Sequence, residues 1–454
     1  MPLLSVAKFG GTSVADFPSM QACADILAAD PHSRVVVLSA SAGVTNLLVA
    51  LANGCGQDKR EKLFAEVVRI QENILTELSH ADTIRPHVEE HLTKIKELAD
   101  VIADSAPSLM LTDELISRGE MMSSLIFVHL LRERGVDAEW VDVRTIVRTN
   151  NHFGKAIPDE IVTKTNVETH INPLLQVGKI VVTQGFIGRD KEGHTTTLGR
   201  GGSDYSAALL AGVLGAKDVL IWTDVAGIYT TDPRIVPLAY RIDSLTFEEA
   251  AEMATFGAKV LHPATLRPAV RSNIPVYVGS SKAPTAGGTW VTKETTHTPT
   301  FRAIAVRHDQ TLLTLSRLNM SQEAGFLNKI LSILEKYNIV VDTVNASDLS
   351  VTLVLDKIGA GCSCSQQATF SEKLLADLNA IANVKVDTGL SLVALVGNKL
   401  DNHPGLAKDI FNVLADFNIR MISYGTSTNN ICLLVQTEQA TDIVRALHKN
   451  LFEN

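Results

Sequence analysis

Apolar positions along this chain follow two different grammars. From Ser5 to about Thr292, short runs rich in Val and Ile alternate with stretches of helical periodicity. The runs Arg34–Ser39, Lys179–Gln184, Val219–Thr223 and Pro275–Gly279 are apolar at consecutive positions, which predicts strands buried on both faces. Between them the spacing predicts helices such as Thr112–Arg134, with Thr112 as N-cap and Gly135 as the C-terminal stop. Such alternation implies an α/β sheet covered by helices. A Thr-rich stretch at 293–300, with one Pro and one His, has the composition of a linker.

Beyond the linker the pattern repeats. Leu312–Asp356 and Leu392–Gln436 superimpose at a spacing of 80, with Gly325 on Gly405, Asn338-Ile339 on Asn418-Ile419 and Ser347 on Ser427. Each copy predicts strand, Gly-started helix, strand, tight turn, strand. The first continues into a helix near Ser371–Ala382 and a strand near Val384–Asp387, giving βαββαβ. The second ends on a helix at Thr441–Leu451 and lacks a fourth strand. The run Phe301–His308 has no other partner, so it is expected to complete the second copy's sheet, making the first copy an insertion within the second. The expected boundaries are 1–292, a linker at 293–300, the second repeat unit at 301–311 and 388–454, and the first at 312–387.

Composition narrows the class. A chain of 454 residues exceeds one ordinary core, and 45% hydrophobic with 20% charged residues fits globular domains. Aromatics make up only 5%, so the cores must be aliphatic. A formal charge of −9 lacks the basic footprint of general nucleic-acid binding. No apolar run approaches the roughly 20 residues of a membrane span, and Lys8 interrupts the one at the N-terminus. Five scattered cysteines, with only Cys362 and Cys364 close together, predict neither a disulfide framework nor a zinc site, and suggest reduced thiols in a cytoplasmic protein.

Two glycine clusters bring chemistry in. Lys8-Phe9-Gly10-Gly11-Thr12-Ser13 follows a short apolar strand, and Gly199-Arg200-Gly201-Gly202-Ser203-Asp204 opens a helix at Tyr205–Leu214. Adjacent glycines let backbone amides approach an anion, a helix N-terminus favours negative charge, and Lys8 and Arg200 add cations. Neither cluster is a P-loop. Alone, each marks a plain turn more often than a site.

Together with Trp222-Thr223-Asp224-Val225-Ala226-Gly227-Ile228-Tyr229, Thr230-Thr231-Asp232-Pro233-Arg234 and Phe256-Gly257-Ala258-Lys259-Val260-Leu261-His262-Pro263, these segments resemble, in order, the signature segments of monofunctional aspartokinases. The likeness spans the whole chain. It implies an amino-acid kinase fold, a mostly parallel sheet covered by helices, followed by two ferredoxin-like βαββαβ ACT domains. It also implies transfer of the γ-phosphoryl group of ATP to aspartate, with Mg²⁺ held mainly through the phosphates and no resident metal site. The residues it implicates in catalysis are Lys8, Gly10, Gly11 and Asp204; for aspartate, Ser39, Thr45, Glu120, Arg200, Gly201, Gly202 and Ser203; for nucleotide, Lys8, Thr223, Asp224, Tyr229, Arg234, Lys259 and Val260. Without the resemblance, Glu120 would be a surface helix charge, Arg234 a solvated charge and Tyr229 part of a core.

The chemistry suits those residue types. Aspartate is already ionised at neutral pH, so no general base is needed. The obstacle is repulsion between two anions, roughly 5 kcal/mol per pair of unit charges at ~3.5 Å and an effective dielectric of ~20. Cations and amides around the transferring group answer it.

For regulation, the resemblance to the lysine-sensitive class implicates Met320, Gly325, Phe326, Leu327, Val340, Asp342, Ser347 and Asp348 as an effector pocket. Helix-start amides would take a carboxylate and Asp342 an ammonium; its counterpart in the second repeat is Ile422, so the first repeat should hold the effector. That class commonly has Thr-Ser-Glu where this chain has Ala346-Ser347-Asp348, and Glu323 replaces a small polar residue. Threonine or a methionine-derived effector therefore stands as an alternative to lysine. Paired ACT units imply a homodimer or a tetramer. The competing readings are another amino-acid kinase, such as glutamate 5-kinase or acetylglutamate kinase, and a catalytically silent amino-acid sensor.

Overall fold

A computed structural model of the chain describes residues 4–257, 261, 263–317, 325–355, 371–425 and 427–453. The chain divides into two units. The first holds Met1–Ile228, Arg241–Thr255 and Lys259–His297; the second holds Tyr229–Tyr240, Phe256–Ala258 and Thr298–Asn454.

The first unit is built on strands β1 (Ser5–Phe9), β2 (Ser33–Leu38), β3 (Ala138–Val141), β4 (Ile180–Gln184), the hairpin β5 (Ile187–Arg189) and β6 (Thr195–Thr197), and β7 (Asp218–Thr223), β8 (Ser244–Thr246), β9 (Val276–Ser280) and β10 (Gly288–Thr292). Eight of them form one sheet in the order β3-β4-β2-β1-β7-β9-β10-β8, parallel throughout except where β10 meets β9. Val6, Ala7 and Val35–Leu38 are fully buried, as expected of strands covered on both faces. In such sheets ligands collect at the carboxyl ends of the strands. The Lys8–Ser13, Ser39–Thr45 and Thr223–Asp224 segments all leave the sheet at that end.

One expected helix is two. Leu109–Ile116 and Arg118–Glu133 are separated at Ser117, whose hydroxyl donates to the Glu114 carbonyl at 2.8 Å. The cap is Ser108, which accepts from Leu111 N, and Thr112 lies inside the first helix with its hydroxyl turned back on the Ser108 carbonyl. Hydroxyls that bond to their own backbone compete with a regular helix, and periodicity does not register that competition.

In the second unit, β11 (Phe301–Ser316), β12 (Val341–Ala346), β13 (Ser350–Leu355), β14 (Asn383–Gly397), β15 (Ile419–Ser423) and β16 (Asn430–Gln436) form a single six-stranded sheet, ordered β12-β13-β11-β14-β16-β15. Two long strands unite the repeats. The first part of β11, Phe301–Arg307, pairs with Leu392–Gly397 of β14, and its second part, Thr311–Ser316, pairs with β13. Each repeat keeps its own aliphatic core, Leu313, Ile330, Leu353 and Leu374 in one and Val393, Ile410, Leu433 and Leu447 in the other. The Tyr229–Tyr240 segment joins this unit although its sequence neighbours do not. Val236 packs into the second repeat's core, Ile304 N donates to Thr230 O at 2.7 Å, and Arg445 Nε donates to Ile235 O at 3.1 Å.

Candidate active site

The two glycine clusters meet. Lys8 points out of β1 near its carboxyl end, 8% exposed, and its Nζ lies 2.6 Å from the Asp204 carboxylate in the first turn of the helix Gly202–Leu214. Gly201, at φ +72°, is the N-cap of that helix, a left-handed conformation that glycine adopts without strain. Gly10 N donates to Trp222 O at 3.0 Å, tying the first cluster to β7 and hence to Thr223 and Asp224. Gly11 is pressed on the next loop: a Cβ there would lie 2.9 Å from Ala40 O, and Ala42 N donates to Gly11 O.

Glu120 is fully enclosed, not a surface charge. It stands in the first turn of Arg118–Glu133, 3% exposed, and its Oε1 accepts from Ala40 N at 3.2 Å. Its Oε2 is buried without a partner among the described residues. Burial pushes its carboxyl up to about 8, against the pull of the backbone donors. Gly119 allows this approach, since a Cβ there would come 2.8 Å from Ala40 Cβ. Ser39 begins the same loop, its carbonyl accepting from Ser123 Oγ at 2.8 Å, and Thr45 follows in the first turn of Val44–Ala52. Arg200 is exposed and forms no ion pair among the described residues. An unengaged guanidinium beside glycine amides, a buried unpartnered carboxylate oxygen and a lysine held by an acid can together hold a small zwitterion and a phosphate.

Thr223 Oγ1 donates to the exposed Asp224 carboxylate at 3.1 Å. Tyr229 and Arg234 belong to the second unit, where Arg234 Nε and its backbone N both bond Asp232 Oδ1, at 3.0 and 2.9 Å. Lys259 and Val260 lie outside the described residues, as does Met320. In the first repeat Gly325 is the left-handed N-cap of Phe326–Lys336, and Gly405 plays the same part for Leu406–Val413. Leu327 and Val340 are exposed, and Ser347 Oγ accepts from Ser350 N at 3.1 Å. The Asp342 carboxylate is paired with the Arg307 guanidinium of β11. Asp348 lies in the β12–β13 turn.

Two contributors were not picked out from the sequence. Gly185, at the end of β4, leaves room for Ser203, since a Cβ there would fall 2.6 Å from Ser203 Cβ. Phe186 follows at φ +72°, and its backbone N donates to Ser206 Oγ at 3.0 Å, which fixes the helix that carries Asp204. A glycine directly after a buried strand was the available signal.

A lysine, glycine amides and acids gathered at the carboxyl ends of a parallel sheet are the set of groups that a phosphate-handling α/β enzyme uses. Residues 4–280 match the amino acid kinase family and residues 393–451 the ACT domain family. The chain is 53% identical over 453 residues to the lysine-sensitive aspartokinase 3 of Escherichia coli, covering 100% of both chains. Its fold matches the crystal structure of E. coli aspartokinase III in complex with aspartate and ADP at a TM-score of 0.89, covering 99% of this chain and 100% of that one. It matches the same enzyme in complex with lysine and aspartate at 0.84, covering 99% of each. The chain belongs to the amino acid kinase family, and within it to the aspartokinases. No described helix is long and apolar enough to cross a membrane.

Proposed function

We propose that the chain moves the γ-phosphoryl group of ATP to the β-carboxylate of L-aspartate, giving 4-phospho-L-aspartate, and that lysine bound in its C-terminal repeats inhibits the reaction. The observation that carries this is the Lys8–Asp204 contact, which brings two glycine clusters 190 residues apart in the chain to one place. Lys8 and the Gly10 and Gly11 amides face the transferring phosphoryl group and offset the repulsion between the two anions. Asp204 orients Lys8 rather than taking a proton. Arg200 holds the α-carboxylate of aspartate in a bidentate fork, and Glu120 takes the α-ammonium with the oxygen that has no partner among the described residues. Ser39, Thr45, Gly201, Gly202 and Ser203 line the remainder.

Thr223 and Asp224 receive the nucleoside end of ATP. Asp204 is engaged by Lys8 and Asp224 by the nucleoside end, so Mg²⁺ would be held mainly through the ATP phosphates. Bound with ATP, the ion neutralises phosphate charge.

In the first repeat the amides at Gly325–Leu327 take the effector carboxylate, and Asp342 its ammonium in exchange for Arg307. The naming of the E. coli relative as lysine-sensitive supports lysine over threonine. Strands β12 and β15 are the open edges of their sheet, with Val344 and Ile422 exposed, which supports a homodimer formed through the ACT units, alone or within a tetramer.

A hydroxamate assay with aspartate and glutamate as competing acceptors, with and without lysine, tests this. Lys8→Met should lower kcat by about a hundredfold to a thousandfold. Equal use of glutamate, or full activity of Lys8→Met, would overturn the reading.

A further inference from the structure

The carboxylate of Asp113 takes part in none of these steps, yet it is fully buried on the helix Leu109–Ile116. Its Oδ2 accepts from Gly154 N and Thr197 N, each at 2.8 Å, and its Oδ1 accepts from Thr197 Oγ1 at 2.8 Å. No charged group contributes to its titration: desolvation pushes it up to about 6 against three hydrogen bonds that pull it down. A buried carboxylate without a counter-charge is costly. What it holds accounts for its presence.

Thr197 ends β6, three residues before Arg200. Its carbonyl accepts from Ala156 N at 2.9 Å, so the 150–156 loop is sewn to the same strand. That loop in turn abuts the glycine cluster, since a Cβ on Gly199 would lie 3.0 Å from Gly154 O. From the other side, Asp113 O accepts from Ser117 N at 3.1 Å, and Ser117 directly precedes the helix whose first turn carries Glu120. One residue thus grips the approach to Arg200 with its side chain and the approach to Glu120 with its backbone. An amide replaces it only in part: its oxygen can keep the two backbone N–H bonds, but its NH₂ then forces the Thr197 hydroxyl from donor to acceptor and the negative charge is lost.

We propose that Asp113 is a positioning residue for the acceptor amino acid, fixing the 197–200 segment and the 150–156 loop against the helix that leads to Glu120, so that Arg200 and Glu120 stand at the separation an α-carboxylate and an α-ammonium require. This rests on the assignment of Arg200 and Glu120 to those two groups. Asp113 touches no substrate. Its loss therefore shifts KM for aspartate and leaves KM for ATP in place, whereas a purely structural role would lower the melting temperature and move neither.

The test is steady-state kinetics on the full-length enzyme, varying aspartate and ATP separately, with melting temperatures alongside. Asp113→Asn is expected to raise KM for aspartate about tenfold or more, with KM for ATP within roughly twofold. Thr197→Val, which removes one donor and keeps both backbone contacts, is expected to raise it about threefold. Arg200→Lys and Glu120→Gln serve as references. If neither reference moves KM for aspartate, the assignment of the α-group contacts fails and this inference with it. If both do while Asp113→Asn and Thr197→Val leave KM unchanged, the positioning role alone is overturned. Should Asp113→Asn fail to fold, Thr197→Val decides by the same criterion.

Discussion

Replacing Glu120 with Gln separates two consequences of burying a carboxyl with no counter-charge. Among the described residues one oxygen accepts from Ala40 N and the other has no partner, and desolvation raises the group from 4.5 to about 8. At pH 7 the group is then mostly protonated. A substrate ammonium favours the charged form. Returned to its ordinary range, the carboxyl makes aspartate binding near pH 7 release close to one proton per site. Isothermal titration of aspartate into the ADP-bound enzyme, in buffers of different ionisation enthalpy, reads that number as a slope. The wild type should show it and Glu120→Gln should not. Binding by the wild type with no buffer dependence would refute the argument.

The same burial has a signed effect on folding. The unfolded glutamate ionises from about pH 4.5 upward while the folded group stays neutral to about 8, so the unfolded state binds fewer protons across that window. Stability is therefore lost as pH rises from 4.5 to 8 and is level beyond. At 1.36 kcal/mol per pH unit the ceiling is on the order of 5 kcal/mol. Glu120→Gln, free of that cost, should melt higher than wild type at pH 8 without ligand, and the gap should close toward pH 4.5. A Gln variant that melts lower at pH 8 would contradict this.

Three further outcomes follow from single contacts. Gly185→Ala would drive a methyl to 2.6 Å from Ser203 Cβ, costing about 1–3 kcal/mol and displacing the start of the Gly202–Leu214 helix; a lowered melting temperature with raised KM for aspartate is expected, and unaltered kinetics would argue against the contact. Asp342→Asn should weaken lysine inhibition about tenfold or more, and an unchanged inhibition constant would remove Asp342 from the effector pocket. The Cys23 thiol, raised well above its ordinary range by burial, should resist an aromatic disulfide reagent until the protein is unfolded; rapid labelling of the native enzyme would show the site to be open.

What the chain's own letters settle is local or repetitive. Consecutive Val and Ile in 34–39 and 219–223 demand a strand covered on both sides, and strands at those places lie within a residue of the expected limits. The Gly325 and Gly405 helix starts repeat because the same αL cap is needed twice. The glycine clusters with their cations predict an anion site, and the Lys8–Asp204 contact is what brings the two clusters together.

Other features are decided by contacts between distant residues, and periodicity says nothing of these. By pattern Glu120 was a surface helix charge; the close fit of Gly119 on Ala40 puts it inside. The helix break at Ser117 comes from a hydroxyl choosing its own backbone. The long β11 and β14 fuse two repeats into one sheet, since each strand runs through both. The Tyr229–Tyr240 segment follows its apolar Ile235 and Val236 into the C-terminal core, away from its sequence neighbours. Sequence fixes which groups are available and which backbone shapes are cheap, because those energies depend on near neighbours. Burial, ion pairing and titration depend on what lies across a few ångströms of space, and only the folded chain sets that.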